Sequence, residues 1–296
     1  MSGPSQTVID PTYLPFTREE LSDHFVATDK DHLAYYLKSV DHHHHGDVTS
    51  KLAVQIEKDE RFWILTALKR LFDHADSISD QLDDTFKVQP GTWAERLGPD
   101  RRLYFEVALP APKSYLAKLK EPGALRALNP SIPHLHAVKK AIRYEGRTSV
   151  DAILVSSNGA AVLFEAKVLS DISCRTTWDS TRNQIARNID VMLDQNRSLS
   201  DDVLRRRDPK RSYFVLVTDE KFKQPALKHN RLFGWLMDEY RKSDPELLVE
   251  HLDHRNPEEV RSAAKRIGWI TWQQMHGKLP GVDGACPWME PGGGVG

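Results

Sequence analysis

Cysteine is nearly absent: Cys174 and Cys286 stand alone and far apart. A disulfide scaffold needs more cysteines at closer spacing, so the chain must fold on an apolar core, and a cytoplasmic setting is expected. Long apolar runs are missing too. None approaches the roughly 18 residues of a membrane span, and no stretch has the pattern of a signal peptide, so no membrane association is expected. Neither sign of charge dominates: 41 Lys and Arg face 42 Asp and Glu, for a net charge of -1. A global basic field is therefore lacking, and contact with nucleic acid must rest on local patches. No internal repeat is visible.

What is present is enough apolar sequence for one sizeable domain with extensions, or two small ones. The clearest signal is a pair of apolar runs, 150–155 and 160–168, joined by Ser157-Asn158-Gly159. They read as two strands of a hairpin. Asp151 lies on the first, and Phe164-Glu165-Ala166-Lys167 on the second. Burying three ionisable groups in apolar strands is costly, so they call for a purpose. Strand alternation puts Val162, Phe164, Ala166 and Val168 on one face and Leu163, Glu165 and Lys167 on the other. Both faces carry apolar residues, so a sheet covered on both sides is expected, as in an α/β protein.

The loop decides whether Asp151 joins the other two. A two-residue Asn158-Gly159 turn pairs Asp151 with Ala166 and points it away from Glu165. A three-residue loop, Ser157-Asn158-Gly159, pairs Ser156 with Ala160 and Asp151 with Glu165. Asn-Gly favours the shorter loop, whereas the chemistry favours the longer, with Gly159 where a left-handed residue is needed. The three-residue loop is the expectation.

The pattern Asp151 … Glu165-Ala166-Lys167, with thirteen residues between the carboxylates, resembles the core motif of the PD-(D/E)XK nuclease superfamily. Val150 stands where the superfamily's name has Pro. A helix-compatible stretch upstream, a helix downstream and a further apolar strand are in keeping with it, over about residues 51–219. The resemblance implies a restriction-endonuclease-like core, a mixed β-sheet flanked by helices. It also implies Mg²⁺ (or Mn²⁺) held by Asp151, Glu165 and the Ala166 carbonyl. Independently of the name, such oxygen donors suit a hard cation, and cleavage of an anionic phosphodiester requires neutralised charge and an activated water. Lys167 would add a positive charge beside the phosphate, and could orient or deprotonate the water if its pKa were lowered.

Supporting residues follow. Trp178 to Gln184 leads into a helical stripe of Ile185, Ile189, Met192 and Leu193, with Asp179 or Ser180 as its cap. By resemblance Gln184 contacts the water or the phosphate; Asn188, four residues on, stands where some branches of the superfamily carry Tyr. A first core helix is expected over 50–72, where Glu57 and Glu60 flank the apolar stripe, and Glu60 is favoured as a further metal ligand. Glu145 is a more distant candidate. Arg175, Arg182 and Arg187 are candidate phosphate contacts, as are the patches 113–120, Lys139-Lys140, Arg205-Arg206-Arg207 and Lys210-Arg211.

The remaining expectations concern scaffold. Residues 1–48 form an N-terminal extension containing a short helical region at 16–37, whose Thr17-Arg18-Glu19-Glu20 fits a capping box. The nuclease-like domain spans 49–275, with an insertion of turns and helices at 73–142, and 276–296 is a flexible tail. A strand is expected at 213–218, helices at 231–242 and 257–266, and an edge strand at 267–272. In the 231–242 helix, Leu232, Trp235, Leu236 and Tyr240 should share one side. His42, His43, His44 and His45, and the His134-Leu135-His136 group, leave zinc as an alternative metal. The function expected is a metal-dependent nuclease, a DNA endonuclease in defence or repair, acting on DNA rather than RNA, with a homo-oligomer or a protein partner in view. A non-catalytic nucleic-acid-binding or assembly module is the alternative.

Overall fold

The computed structural model describes residues 16–26, 33, 60–87, 91–124, 127, 145–173, 179, 182–195 and 198–278. A five-stranded mixed sheet runs through them in the order β1 (Arg101–Leu109), β2 (Thr148–Ser156), β3 (Ala161–Ala166), β4 (Ser212–Thr218) and β5 (Ile267–Thr271). The first three strands are antiparallel neighbours; β4 and β5 add in parallel. Every residue of β3 and β4 is buried. That matches their unbroken apolar sequence, which only a sheet covered on both faces accommodates. One layer holds α1 (Glu60–Asp73) and α2 (Ala75–Thr85). The other holds α3 (Gln184–Met192), α4 (Leu232–Tyr240) and α5 (Pro257–Ala264). A short helix, α6 (Trp272–His276), follows β5 directly. No helix among the described residues is long and apolar enough to cross a membrane.

The hairpin has the three-residue loop. Val155 pairs with Ala161, Ser156 N–H donates to the Ala160 carbonyl at 2.8 Å, and Gly159 N–H returns to Ser156 at 2.9 Å. Gly159 has φ +90°, and a Cβ there would meet the Arg206 carbonyl at 3.2 Å. The register carries Asp151 to a position opposite Glu165.

The segment 73–142 is not merely an insertion of turns and helices, because it contributes β1. Arg101, Arg102 and Glu106 interrupt the apolar signal there, yet Leu103, Phe105 and Tyr104 alternate cleanly between the two layers. Nor is the N-terminal segment separate from the sheet. The Thr17–Glu20 capping box opens the helix Arg18–Ser22, Leu21 is buried, and Phe25 forms a parallel bridge to Phe105. On α4, Leu236 and Tyr240 are buried as expected, but Trp235 is 42% exposed; Phe233 and Met237 fill the core in its place. Only 60–72 of the expected 50–72 helix falls within the described residues. Glu57, Arg175, both cysteines, Lys139-Lys140, both histidine groups and residues 279–296 lie outside them.

A side-chain cap fixes the start of α3, and charged contacts fix its last turn. Its cap is Asn183, whose side chain accepts from Ala186 N–H at 3.0 Å; Asp179 instead accepts from the Tyr115 hydroxyl at 3.0 Å. Arg182 is buried, 2.9 Å from Glu145 and 2.6 Å from Asp190, and its guanidinium lies 3.8 Å from the centre of the Tyr115 ring. Asp190 also meets His254 and Arg255. At the same end, buried Arg207 donates to the carbonyls of Val191, Met192 and Asp194. Val191 and Met192 are among the carbonyls a helix end leaves unpaired. Arg182 and Arg207 are thus structural ions rather than phosphate contacts. Glu145 is tied to Arg182 and Arg187 rather than to a metal. Arg205 pairs with Asp202, Lys118 with Asp253, and Arg211 donates to the Asn158 carbonyl.

Two outcomes follow. Burial would raise the Asp190 carboxyl, but the His254 hydrogen bond and the Arg182 and Arg255 charges outweigh it and hold it well below the usual range. A carboxyl depressed in the fold stabilises above its unfolded value, near ~4, and that stabilisation is lost as pH falls through the folded value. Asp190→Asn should therefore cost about 3–5 kcal/mol at pH 7 in urea unfolding and flatten the loss of stability below about pH 4. Gly159→Ala should cost about 1–3 kcal/mol by the same measurement, from its left-handed backbone and the Arg206 contact.

Candidate active site

The paired strands β2 and β3 part where the charges lie. Their ladder ends at Ala152–Phe164, one step short of Asp151 and Glu165. Instead of continuing to the backbone of β2, Ala166 N–H donates to Asp151 Oδ2 at 2.7 Å. Lys167 N–H bonds the Val217 carbonyl of β4 at 2.8 Å. Because peptide groups alternate along a strand, Ala166 turns its own N–H and C=O toward β2. The Ala166 carbonyl thus faces the opening beside Asp151.

A change of phase in β1 and β2 accompanies this fork. Tyr104 and Ile153 belong to the α3 layer, and strict alternation would put Val107 and Val150 in the other; both nevertheless pack in the α3 layer. The switch falls at Glu106 and Asp151, which are bracketed by the pairs Phe105–Ala152 and Val107–Val150. Glu106 has φ +51°, the one positive value at a non-glycine among the described residues. Its carboxylate lies 3.5 Å from Arg61 and accepts from Ser149 at 3.3 Å. Glu106 was not legible as a site residue. A left-handed Glu in a strand leaves no pattern in sequence.

Glu165 and Lys167 project from β3 on the α3 side, as alternation requires. Glu165 is 1% exposed. Its Oε1 accepts from Gln184 Nε2 at 2.5 Å and lies 2.8 Å from Lys167 Nζ, while Oε2 accepts from Asn188 Nδ2 at 2.7 Å. One turn of α3 thus places two amides on one carboxylate. Gln184 serves Glu165 directly. Asn188, which the sequence offered only as a departure from a family pattern, matches it as a partner.

Glu60, at the start of α1, comes from the opposite layer. Its Oε2 is 2.9 Å from Lys167 Nζ, and its Oε1 accepts from Val168 N–H at 3.4 Å and from the Ser170 hydroxyl. The structure therefore brings Asp151, Glu165, Lys167, Gln184 and Glu60 to one place, with Glu106 at its border.

The electrostatics follow from burial. Asp151 is pushed well above the usual carboxylate range by burial and by the Glu165 charge, against the opposing pull of Lys167 and the Ala166 N–H. Burial also raises Glu165, although Lys167 and Asn188 oppose it. For Lys167, burial disfavours the charge, but Glu165, Glu60 and Asp151 outweigh it and hold the ammonium above its ordinary value. Lys167 is thus a fixed cation here. A role in deprotonating water, conditional on a lowered pKa, lacks that condition in this state.

The residues present fit a hard cation. The donors converging on the fork are carboxylate and carbonyl oxygens, the set that Mg²⁺ and Mn²⁺ accept, and one ammonium does not balance the carboxylates around it. Among the described residues no group of three or more His, Cys, Asp or Glu forms a ready cage. A cation would draw instead on two side chains and a backbone oxygen, with waters.

A carboxyl held above its unfolded value destabilises the fold once pH exceeds that value, near ~4. In chelator at pH 7, Asp151→Asn should therefore raise unfolding stability by about 1 kcal/mol. Lys167→Met should lower it by about 3–5 kcal/mol, because it leaves buried carboxylates unopposed. Urea unfolding of the two variants checks the opposite signs.

Comparison with known proteins finds no match among family models, curated proteins or solved structures.

Proposed function

We propose that the protein is a metal-dependent nuclease with a restriction-endonuclease-like core, hydrolysing phosphodiester bonds of nucleic acid, with DNA the favoured substrate. The observation that carries this reading is the fork itself: Asp151, Glu165 and the Ala166 carbonyl meet beside Lys167 where β2 and β3 part. The element order supports it as well. A helix bearing Glu60 precedes three antiparallel strands, the second and third bearing Asp151 and Glu165, and a helix and a parallel strand follow.

Asp151, Glu165 and the Ala166 carbonyl would hold Mg²⁺ or Mn²⁺, with Glu60 as a further carboxylate at the rim. When bound, the ion supplies charge neutralisation at the phosphate and a more acidic water. The protein's own groups do the rest. Gln184 and Asn188 fix both oxygens of Glu165, so its geometry is set before substrate arrives. Glu60 and Glu165 keep Lys167 protonated, and its ammonium stabilises the negative charge that grows on the phosphate in the transition state. Cutting both strands of a duplex requires two such sites, which favours a homodimer. Defence against foreign DNA and DNA repair both fit this chemistry.

A second reading, a non-catalytic nucleic-acid-binding or assembly module, has one observation in its favour: Lys167 already satisfies Glu165 and Glu60 at short range. The two readings part in one experiment. Purified protein is incubated with plasmid DNA, single-stranded DNA and RNA in Mg²⁺, in Mn²⁺ and in chelator. Metal-dependent cleavage should appear and fall by at least ~100-fold in Asp151→Ala, Glu165→Ala and Lys167→Ala. Gln184→Ala should show a smaller loss, and Arg187→Ala should cleave like wild type. Binding without cleavage under every metal condition would favour the module.

A further inference from the structure

A second polar concavity lies at the β5 edge of the sheet, and none of the residues of the fork lines it. It encloses about 310 Å³, at the small end of ligand pockets. Three cations open onto it from three places in the chain: Lys223 after β4, Lys228 before α4, and Arg241 at the end of α4.

Their existing partners do not use them up. Lys223 Nζ donates to the Trp269 carbonyl at 2.7 Å and to Gln274 Oε1 at 3.2 Å, two of the three donors an ammonium carries. Lys228 meets Asp238, and Lys223 and Lys228 each stand 5.7 Å from the Trp269 ring centre. Arg241 makes no ion pair among the described residues. The one carboxylate in the lining, Asp84, is taken by Lys278 at 2.7 Å. Burial and the Arg241 charge, with Lys228 adding and Glu220 opposing, push the Lys223 ammonium down to about 8, as expected where positive charge lacks a counter-ion.

An independent observation points to a ligand rather than to bulk counter-ions. Gln81 lines the pocket, is 4% exposed, and its Oε1 has no hydrogen-bond partner. A buried acceptor is rarely left unpaired in a folded protein. Thr85 does not serve it, because that hydroxyl donates to the Gln81 backbone carbonyl at 2.7 Å. The occupant should thus bring both an anion for the cations and an O–H or N–H for Gln81.

We propose that this pocket binds the phosphate group of a phosphorylated ligand, with Lys223, Lys228 and Arg241 as donors and Gln81 accepting from a neighbouring hydroxyl or amine. A phosphate offers several acceptor oxygens to charge-assisted hydrogen bonds, and the Arg241 fork suits two of them. A mononucleotide carries both features. A nucleic-acid strand carries the same phosphate chemistry, and the test separates these sources.

Calorimetric titration of the full chain in chelator, at pH 7, uses inorganic phosphate, a 5′-mononucleotide, the matching nucleoside and a short DNA duplex. The mononucleotide should bind at least tenfold more tightly than phosphate, and the nucleoside should not bind. Arg241→Met and Lys223→Met should each weaken the mononucleotide by tenfold or more. Arg241 is exposed, so its variant keeps the wild-type melting temperature and remains informative if Lys223→Met unfolds. Asp151→Asn should bind as wild type, which makes the result independent of cleavage. A duplex that displaces the mononucleotide assigns the phosphate to nucleic acid; one that does not assigns it to a free nucleotide. Absence of phosphate-dependent binding, or full affinity in Arg241→Met, would overturn the proposal.

Discussion

The organising constraint is one buried ammonium among several carboxylates. Lys167 touches Glu165 and Glu60 directly and feels Asp151. Charges of one sign gathered inside a protein are tolerated only where geometry compels them and a cation answers them. Here the geometry is the fork between β2 and β3. Where the ladder stops, the backbone gives its Ala166 N–H to a side chain instead of to a strand, and Asp151 is drawn into the sheet plane beside the Ala166 carbonyl. The phase change at Glu106 and Asp151 turns Val107 and Val150 into the α3 layer beside this point.

The rest of the described structure keeps that arrangement rigid. Glu165 is useful only if its oxygens are aimed, and its aim comes from Gln184 and Asn188 on α3. That helix is clamped at its last turn, by Arg182 on Asp190 and by Arg207 on the Val191 and Met192 carbonyls. These ions are large, buried and well removed from solvent. They transmit no chemistry, but they hold the amides in register with the carboxylate. Glu60 reaches Lys167 from the opposite layer, so the site ties both faces of the sheet together.

Much of this was legible in sequence, for physical reasons. The hairpin was visible because period-two alternation and a turn residue are local signals, and the longer loop followed from requiring Asp151 to face Glu165. Glu60 was preferred over Glu57 because of its place beside the helical stripe. Other features were not legible. β1 carries no clear strand signal, because Arg101, Arg102 and Glu106 break its apolar run. Arg182 and Arg207 read as candidate phosphate contacts because their true partners, Asp190 and the carbonyls around the end of α3, are set by packing. The direction of the Lys167 pKa was not legible, since burial alone lowers it and only the assembled carboxylates raise it. The exposure of Trp235 is not legible, because a helical stripe does not reveal where its edge meets solvent.

If the fork is a cation site, Asp151 and Glu165, both held above their ordinary range, must give up protons as metal binds. The most direct measurement is a calorimetric titration of Mn²⁺ into the purified chain, in two buffers of different ionisation enthalpy. The account predicts binding with net proton release, lost in both Asp151→Asn and Glu165→Gln. Absence of binding at millimolar Mn²⁺, or binding that survives both substitutions, would contradict it.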